Sequence, residues 1–177
     1  MPVGPLAITD EISFTLPLSI MKESADMMKT EQTKELYEIY SKMVELGRDG
    51  KKAGKGFYDY PKGGKKHIWP GLKALYPSKT DYLDAETIGK RMLHIMALES
   101  YRCLEEGVLK SSTDGDVGSL TGFGFPPYTG GVFSYIDYVG IHQFVADCQL
   151  FQERFGERFK VPESILKRKE KGEIFYN

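Results

Sequence analysis

The sequence predicts an all-α protein made of two related helical units in tandem. Apolar residues recur at helical spacing along most of its 177 residues, and strong alternating strand patterns are absent. A Gly-, Pro- and Lys-rich stretch near residues 47–80 divides the chain. The stretches on either side of it resemble one another.

Residues 5–28 read as helix, with apolar Leu6, Ile12, Leu16 and Ile20. Pro17 lies inside and predicts a kink or break there, because proline lacks the amide hydrogen and clashes with the preceding turn. A further helix is expected over 33–46, where Leu36, Tyr40 and Met43 share a face with Ile39 beside it. The stretch GRDGKKAGKGFYDYPKGGKKHIWPGLKALYPSK reads as a turn-rich connector and holds the only tryptophan, Trp69. Its basic residues are Arg48, Lys51, Lys52, Lys55, Lys62, Lys65 and Lys66. A solvated loop is the expectation for them, with phosphate binding as the alternative.

The clearest helix is 84–108, with Asp84 as N-cap, Glu86 in the first turn and Gly107 near the stop. Ile88, Met92, Ile95 and Met96 fall on one face, and Leu93, Ala97, Tyr101, Leu104 and Val108 on another. The helix is therefore expected to be buried on more than one side. His94 lies within it and reads as a packed core histidine, since no Cys or carboxylate stands at ligand spacing. Residues 141–155 predict a helix with Phe144, Val145, Cys148 and Phe151 inward, and 162–171 a short one.

A net charge of −1 gives no whole-chain argument for nucleic acid or an anionic membrane. No apolar run reaches the roughly 18 residues of a membrane span. The N-terminal residues lack the order of a signal peptide. Cys103 and Cys148 do not make a disulfide framework, so a reducing compartment is expected.

The stretch GFGFPPYTGGVFSYIDYVG, residues 122–140, raises the question of a phosphate-cradling loop. Pro127 stands where the third glycine of such a loop belongs, and Pro126 and Pro127 remove two amide donors. An architectural role follows from the repeat instead. At an offset of 127 residues, Gly4 falls on Gly131, Leu6 on Phe133, Asp10 on Asp137, Ile12 on Val139, Phe14 on Ile141 and Leu18 on Val145. At an offset of 118, Gly54 falls on Gly172, Phe57 on Phe175 and Tyr58 on Tyr176. Phe57 and Phe175 read as anchors that close each unit. The second copy opens with the 84–108 helix and the 111–121 segment. Their first-copy counterparts would precede Met1, so the expectation is a first repeat truncated at its N-terminus within a longer protein.

With both copies in view, GRDGKKAGKGFYDYP resembles the motif closing the C-terminal domain of 3-hydroxyacyl-CoA dehydrogenases. MPVGPLAITDE resembles the turn and first following helix of that domain. RMLHIMALESYRCLEEGV and DVGSLTGFGFPPYTGGVFSYIDYVG resemble the second, degenerate copy in multifunctional fatty-acid β-oxidation proteins, which fuse an enoyl-CoA hydratase/isomerase to the dehydrogenase. The resemblance implies tandem helical repeats of the 6-phosphogluconate dehydrogenase C-terminal-like type. The expected division is 1–60 for the first repeat, 61–83 for the connector and 84–177 for the second.

It also implies an NAD-dependent oxidation of L-3-hydroxyacyl-CoA. An upstream Rossmann domain, absent here, would hold NAD and the catalytic His–Glu pair. The helical part would supply acyl-CoA pocket walls and a dimer or pseudo-dimer interface, and self-association of this chain is an open expectation. In the family an asparagine opens the first helix in an Asn-Arg pair; here the matching pair is Lys90-Arg91. Lys90 is expected to turn to solvent or to an acidic neighbour. His67 and His142 have no convincing carboxylate, and Glu99, Glu105 and Glu106 read as a solvated face. No residue is assigned a catalytic, cofactor or metal role. Val3, Gly4 and Pro5 are the substrate-contact candidates, because the matching turn of the family faces the acyl cleft. The implied location is the cytoplasm in a bacterium, and mitochondria or peroxisomes in a eukaryote. A helical assembly module without substrate contact is the alternative.

Overall fold

The computed structural model describes residues 3–24, 31–77 and 83–176. Pro2, residues 25–28 of the first expected helix and residues 78–82 of the connector lie outside them. The chain divides into two compact units, Pro2–Tyr82 and Leu83–Asn177. The described residues are mostly helical, with a single small two-stranded ladder among them, so the protein is all-α.

In the first unit α1 is Pro5–Ile12, α2 is Thr15–Glu23 and α3 is Glu31–Glu45. The break between α1 and α2 falls at Ser13, whose φ is 82°, and not at Pro17. Pro17 is the third residue of α2, where an amide has no intrahelical acceptor to lose. Asp49 fixes the break, because its Oδ1 accepts from Phe14 N and Thr15 N, each at 2.9 Å. The break resets the helical phase. Ile12, Leu16 and Ile20 consequently lie exposed, and Ala7, Asp10, Phe14, Leu18 and Met21 are buried instead. Met43 of α3 is fully buried against Phe14 and Phe57, whereas Leu36 is exposed. The Phe14 and Phe57 rings meet edge to face at 4.8 Å.

The stretch read as a connector carries structure of its own. Strand β1, Tyr58–Asp59, pairs antiparallel with β2, His67–Ile68, and α4 spans Pro70–Leu75. Trp69 N donates to Phe57 O at 2.9 Å, which ties α4 to the closing motif. Arg48 does not belong to a solvated basic cluster. It is buried, its Nε donates to Gly56 O at 2.8 Å, it pairs with Asp59 at 2.6 Å, and its guanidinium lies 4.1 Å from the Trp69 ring centre.

In the second unit α5 is Ala85–Glu105, α6 Ser112–Gly122, α7 Val132–Val139, α8 Ile141–Phe155 and α9 Glu163–Lys171. Asp84 caps α5, accepting from Thr87 N at 2.7 Å. The fully buried part of α5 is one stripe, His94, Ala97, Leu98 and Tyr101, at spacings of three and four. Burial on more than one side does not hold, because Ile88 and Met92 are exposed. Phe144, Val145, Cys148 and Phe151 of α8 face inward as their spacing predicts.

Candidate functional site

An aspartate holds the closing motif in each unit. Asp10 of α1 is buried, and its carboxylate accepts from Phe57 N at 2.8 Å, Tyr58 N at 2.9 Å and Tyr60 Oη at 2.9 Å. Gly56 permits this approach, since a Cβ there would run into the Asp10 carboxylate. Asp137 of α7 accepts from Phe175 N at 2.9 Å and Tyr176 N at 3.0 Å. An arginine accompanies each clamp. Arg48 donates to Gly56 O, and Arg168 donates to Ile174 O at 2.9 Å, in both cases the carbonyl just before the phenylalanine.

Beside the first clamp lies a mainly apolar cavity of about 390 Å³, lined by Pro5, Leu6, Thr9, Ile39, Tyr40 and Phe57 among others. Of the three substrate-contact candidates, Val3 and Gly4 are exposed next to it and Pro5 lines it. Gly4 is the N-cap of α1, and its carbonyl accepts from Ala7 N and Ile8 N.

The second unit contains a polar cluster that spacing did not disclose. His94 is fully buried, stacked on Phe144 at 4.8 Å and met edge-on by Tyr135 and Phe151. Its Nδ1 lies 2.9 Å from Lys90 O and 3.0 Å from Tyr135 Oη. Its Nε2 lies 3.3 Å from Asp147 Oδ2, without hydrogen-bond alignment. Lys90 Nζ reaches the same Asp147 oxygen at 3.0 Å, and Gln143 donates to Oδ1 at 2.9 Å. The expected acidic neighbour of Lys90 is therefore Asp147 of α8. The sequence signal was a carboxylate set within the apolar stripe Phe144, Val145, Cys148 and Phe151. Among the remaining histidines, His67 lies 3.5 Å from Asp59 at the surface and His142 is exposed.

Burial holds the His94 imidazole below its ordinary range, against the opposing pull of Asp147. The folded chain therefore prefers neutral His94, while the unfolded chain takes up a proton near the ordinary value of 6.5. The His94 contribution to stability is complete above pH ~6.5 and is lost as the pH falls towards the depressed folded value. His94→Phe should flatten the acid limb of a melting-temperature profile below pH ~6.5. An unchanged acid limb would show that His94 does not set it. Burial also pushes the Cys148 thiol up to about 12, so this cysteine is held in the inert thiol form.

The glycine-rich turn does not fit a dinucleotide. The Asp116 carboxylate already occupies the α7 N-terminus, accepting from Phe133 N at 2.6 Å and from Ser134 N at 3.1 Å. Gly131, with a φ of 123°, is needed there because any side chain would meet Asp116. An anion bound at this turn would face that carboxylate.

Comparison with known proteins decides the family. Residues 1–60 match the model of the 3-hydroxyacyl-CoA dehydrogenase C-terminal domain. These residues belong to that domain family. Over 99% of its length the chain is similar to fatty acid oxidation complex subunit alpha of Vibrio vulnificus, at 34% identity, covering 25% of that relative. The same protein from Vibrio cholerae is 34% identical and that of Shewanella frigidimarina 35%, with the same shares covered. The chain thus spans about a quarter of the length of these curated relatives. The family match contains the α1 clamp, most of the cavity lining and the turn Val3–Pro5. The relatives extend the similarity across the second unit.

Proposed function

We propose that the chain is the C-terminal helical part of an NAD-dependent L-3-hydroxyacyl-CoA dehydrogenase of fatty-acid β-oxidation. Similarity to fatty acid oxidation complex alpha subunits over 99% of the chain carries this reading. The recurrence of the Asp–Phe-Tyr clamp in both units supports two tandem repeats, 1–60 and 84–177, joined by residues 61–83. The second of these is a degenerate copy. The chain supplies pocket wall and the dimer or pseudo-dimer interface, and Val3, Gly4 and Pro5 border the acyl-CoA cleft. NAD and the proton-abstracting base belong to a Rossmann domain elsewhere in the parent enzyme, which acts in the cytoplasm as befits bacterial relatives. No helix among the described residues is long and apolar enough to cross a membrane.

Hydride transfer needs a base at the hydroxyl and a bound nicotinamide. His94, the one histidine with an aligned network, is sealed beneath three aromatic rings and cannot meet substrate. The 177-residue chain should form no NADH from an L-3-hydroxyacyl-CoA, and measurable NADH would refute the placement of catalysis outside it. Acyl-CoA should slow amide exchange at Val3–Leu6. Exchange there indifferent to saturating acyl-CoA would leave the assembly-module reading in its place.

A further inference from the structure

Lysine is distributed unevenly along the chain. Residues 50–73 hold seven lysines against one aspartate, a net charge of +6 within a chain whose total is −1. That aspartate, Asp59, is committed to buried Arg48 at 2.6 Å and to His67 at 3.5 Å. Lysines elsewhere meet carboxylates, as Lys42 meets Glu45, Lys90 meets Asp147 and Lys167 meets Glu163. Within the stretch Lys51 takes Glu11 at 2.6 Å. Among the described residues Lys52, Lys55, Lys62, Lys65 and Lys66 pair with no carboxylate.

Three of these five lysines crowd one hairpin. Residues 61–68, from the end of β1 through the turn to β2, are all exposed. The turn closes with Gly64 N donating to Pro61 O at 3.1 Å and with Gly63 at a φ of 75°, and it carries Lys62, Lys65 and Lys66. Ile68 pairs with Tyr58 across the ladder and stands 54% exposed. Lys66 shares that face, with its Nζ 4.9 Å from the centre of the Tyr58 ring.

We propose that this hairpin docks on an anionic phospholipid surface, with Lys62, Lys65 and Lys66 at the headgroup phosphates and Ile68 at the acyl boundary. Two features select lipid over other polyanions. The Tyr58 and Trp69 rings beside the lysines are half-buried, and each carries a cation on its face, Lys66 on one and Arg48 at 4.1 Å on the other. Neither ring is left open for base stacking. Ile68 gains nothing from a nucleic acid or a free phosphate. A lipid interface accepts such an apolar side chain among lysines, whose long stems keep their ammonium groups in water. The acidic residues elsewhere in the chain oppose this little, because exposed charges more than about 10 Å away are screened at ordinary ionic strength. Each lysine close to an anionic leaflet contributes about fivefold in partition. The association is therefore peripheral and reversed by salt.

The test is sedimentation of the 177-residue chain with vesicles of phosphatidylcholine, alone or with about 30% phosphatidylglycerol, at about 0.1 M and about 0.5 M salt. The chain should sediment only with the anionic vesicles, and the higher salt should release it, a readout that needs no variant. Joint Lys62→Glu, Lys65→Glu and Lys66→Glu should lower partition by at least about a hundredfold, at about fivefold for each lysine lost. Ile68→Ser should lower it by about threefold and leave retention on heparin unchanged. All four positions are exposed, so the circular dichroism should match that of the parent chain. The proposal is overturned if anionic vesicles do not retain the chain, if the triple variant partitions as before, or if Ile68→Ser changes nothing. It is equally overturned if duplex DNA or CoA, at matched phosphate concentration, strips the chain from the vesicles, since a nucleic-acid or free phosphate is then the preferred occupant.

Discussion

Asp10→Ala should lower the stability of the first unit by about 3–4 kcal/mol, read as a fall in the urea midpoint of Trp69 fluorescence. Trp69 is the only tryptophan and packs with the first-unit core, so its emission reports that unit. The carboxylate accepts three hydrogen bonds in a site that is 1% exposed. Alanine leaves the Phe57 and Tyr58 amides without an acceptor, and each unpaired buried donor costs about 1–3 kcal/mol. The Tyr60 hydroxyl can turn to water and adds less. Asp137→Ala should cost only about 1–2 kcal/mol, since its clamp holds two part-buried amides and no hydroxyl. A midpoint shift below about 1 kcal/mol for Asp10→Ala would mean that water replaces the clamp readily and that α1 is not what fixes the closing motif.

How far the fold was legible depended on whether its determinants were local. Residues 141–155 and 163–171 form helices where spacing put them, because burial against one core enforces a single stripe. Asp84 capped α5 as its position implied. The α1–α2 break was misplaced because its cause is remote in sequence: Asp49 binds the Phe14 and Thr15 amides across more than thirty residues. Arg48 looked like one cation among many lysines, yet it is buried by Trp69 and by carbonyls of the closing motif. His94 was read correctly as a packed histidine. Its partner Asp147 was missed, because the contact joins α5 and α8 and no spacing rule within one helix could show it. Proline and glycine turns were legible, and what they make room for was not. Gly56 and Gly131 each admit an aspartate that arrives from another element.

Phe133→Ala should be the most damaging substitution in the second unit, at about 3–5 kcal/mol, and should exceed Phe175→Ala. The sequence reading made Phe175 the anchor that closes this unit. The structure leaves Phe175 partly buried, between Tyr101, Phe133 at 5.0 Å and the Arg168 guanidinium at 4.3 Å. Its removal opens a space that water and the flexible Arg168 can enter, so a cost of about 2 kcal/mol is expected. Phe133 is fully buried, its amide is held by Asp116, and its ring lies where any side chain at position 115 would stand. Gly115 lets α6 approach the Phe133 ring so closely, and a helix backbone cannot collapse into the vacated volume as a side chain can. Amide exchange along α5 and α7 is the suitable measurement, since the second unit has no tryptophan. Phe133→Ala should accelerate exchange in both helices, whereas Phe175→Ala should act mainly at the closing motif. If Phe175→Ala proves the costlier of the two, the ring and not the α6–α7 contact is the keystone of the unit, and the anchor role first read from the sequence stands.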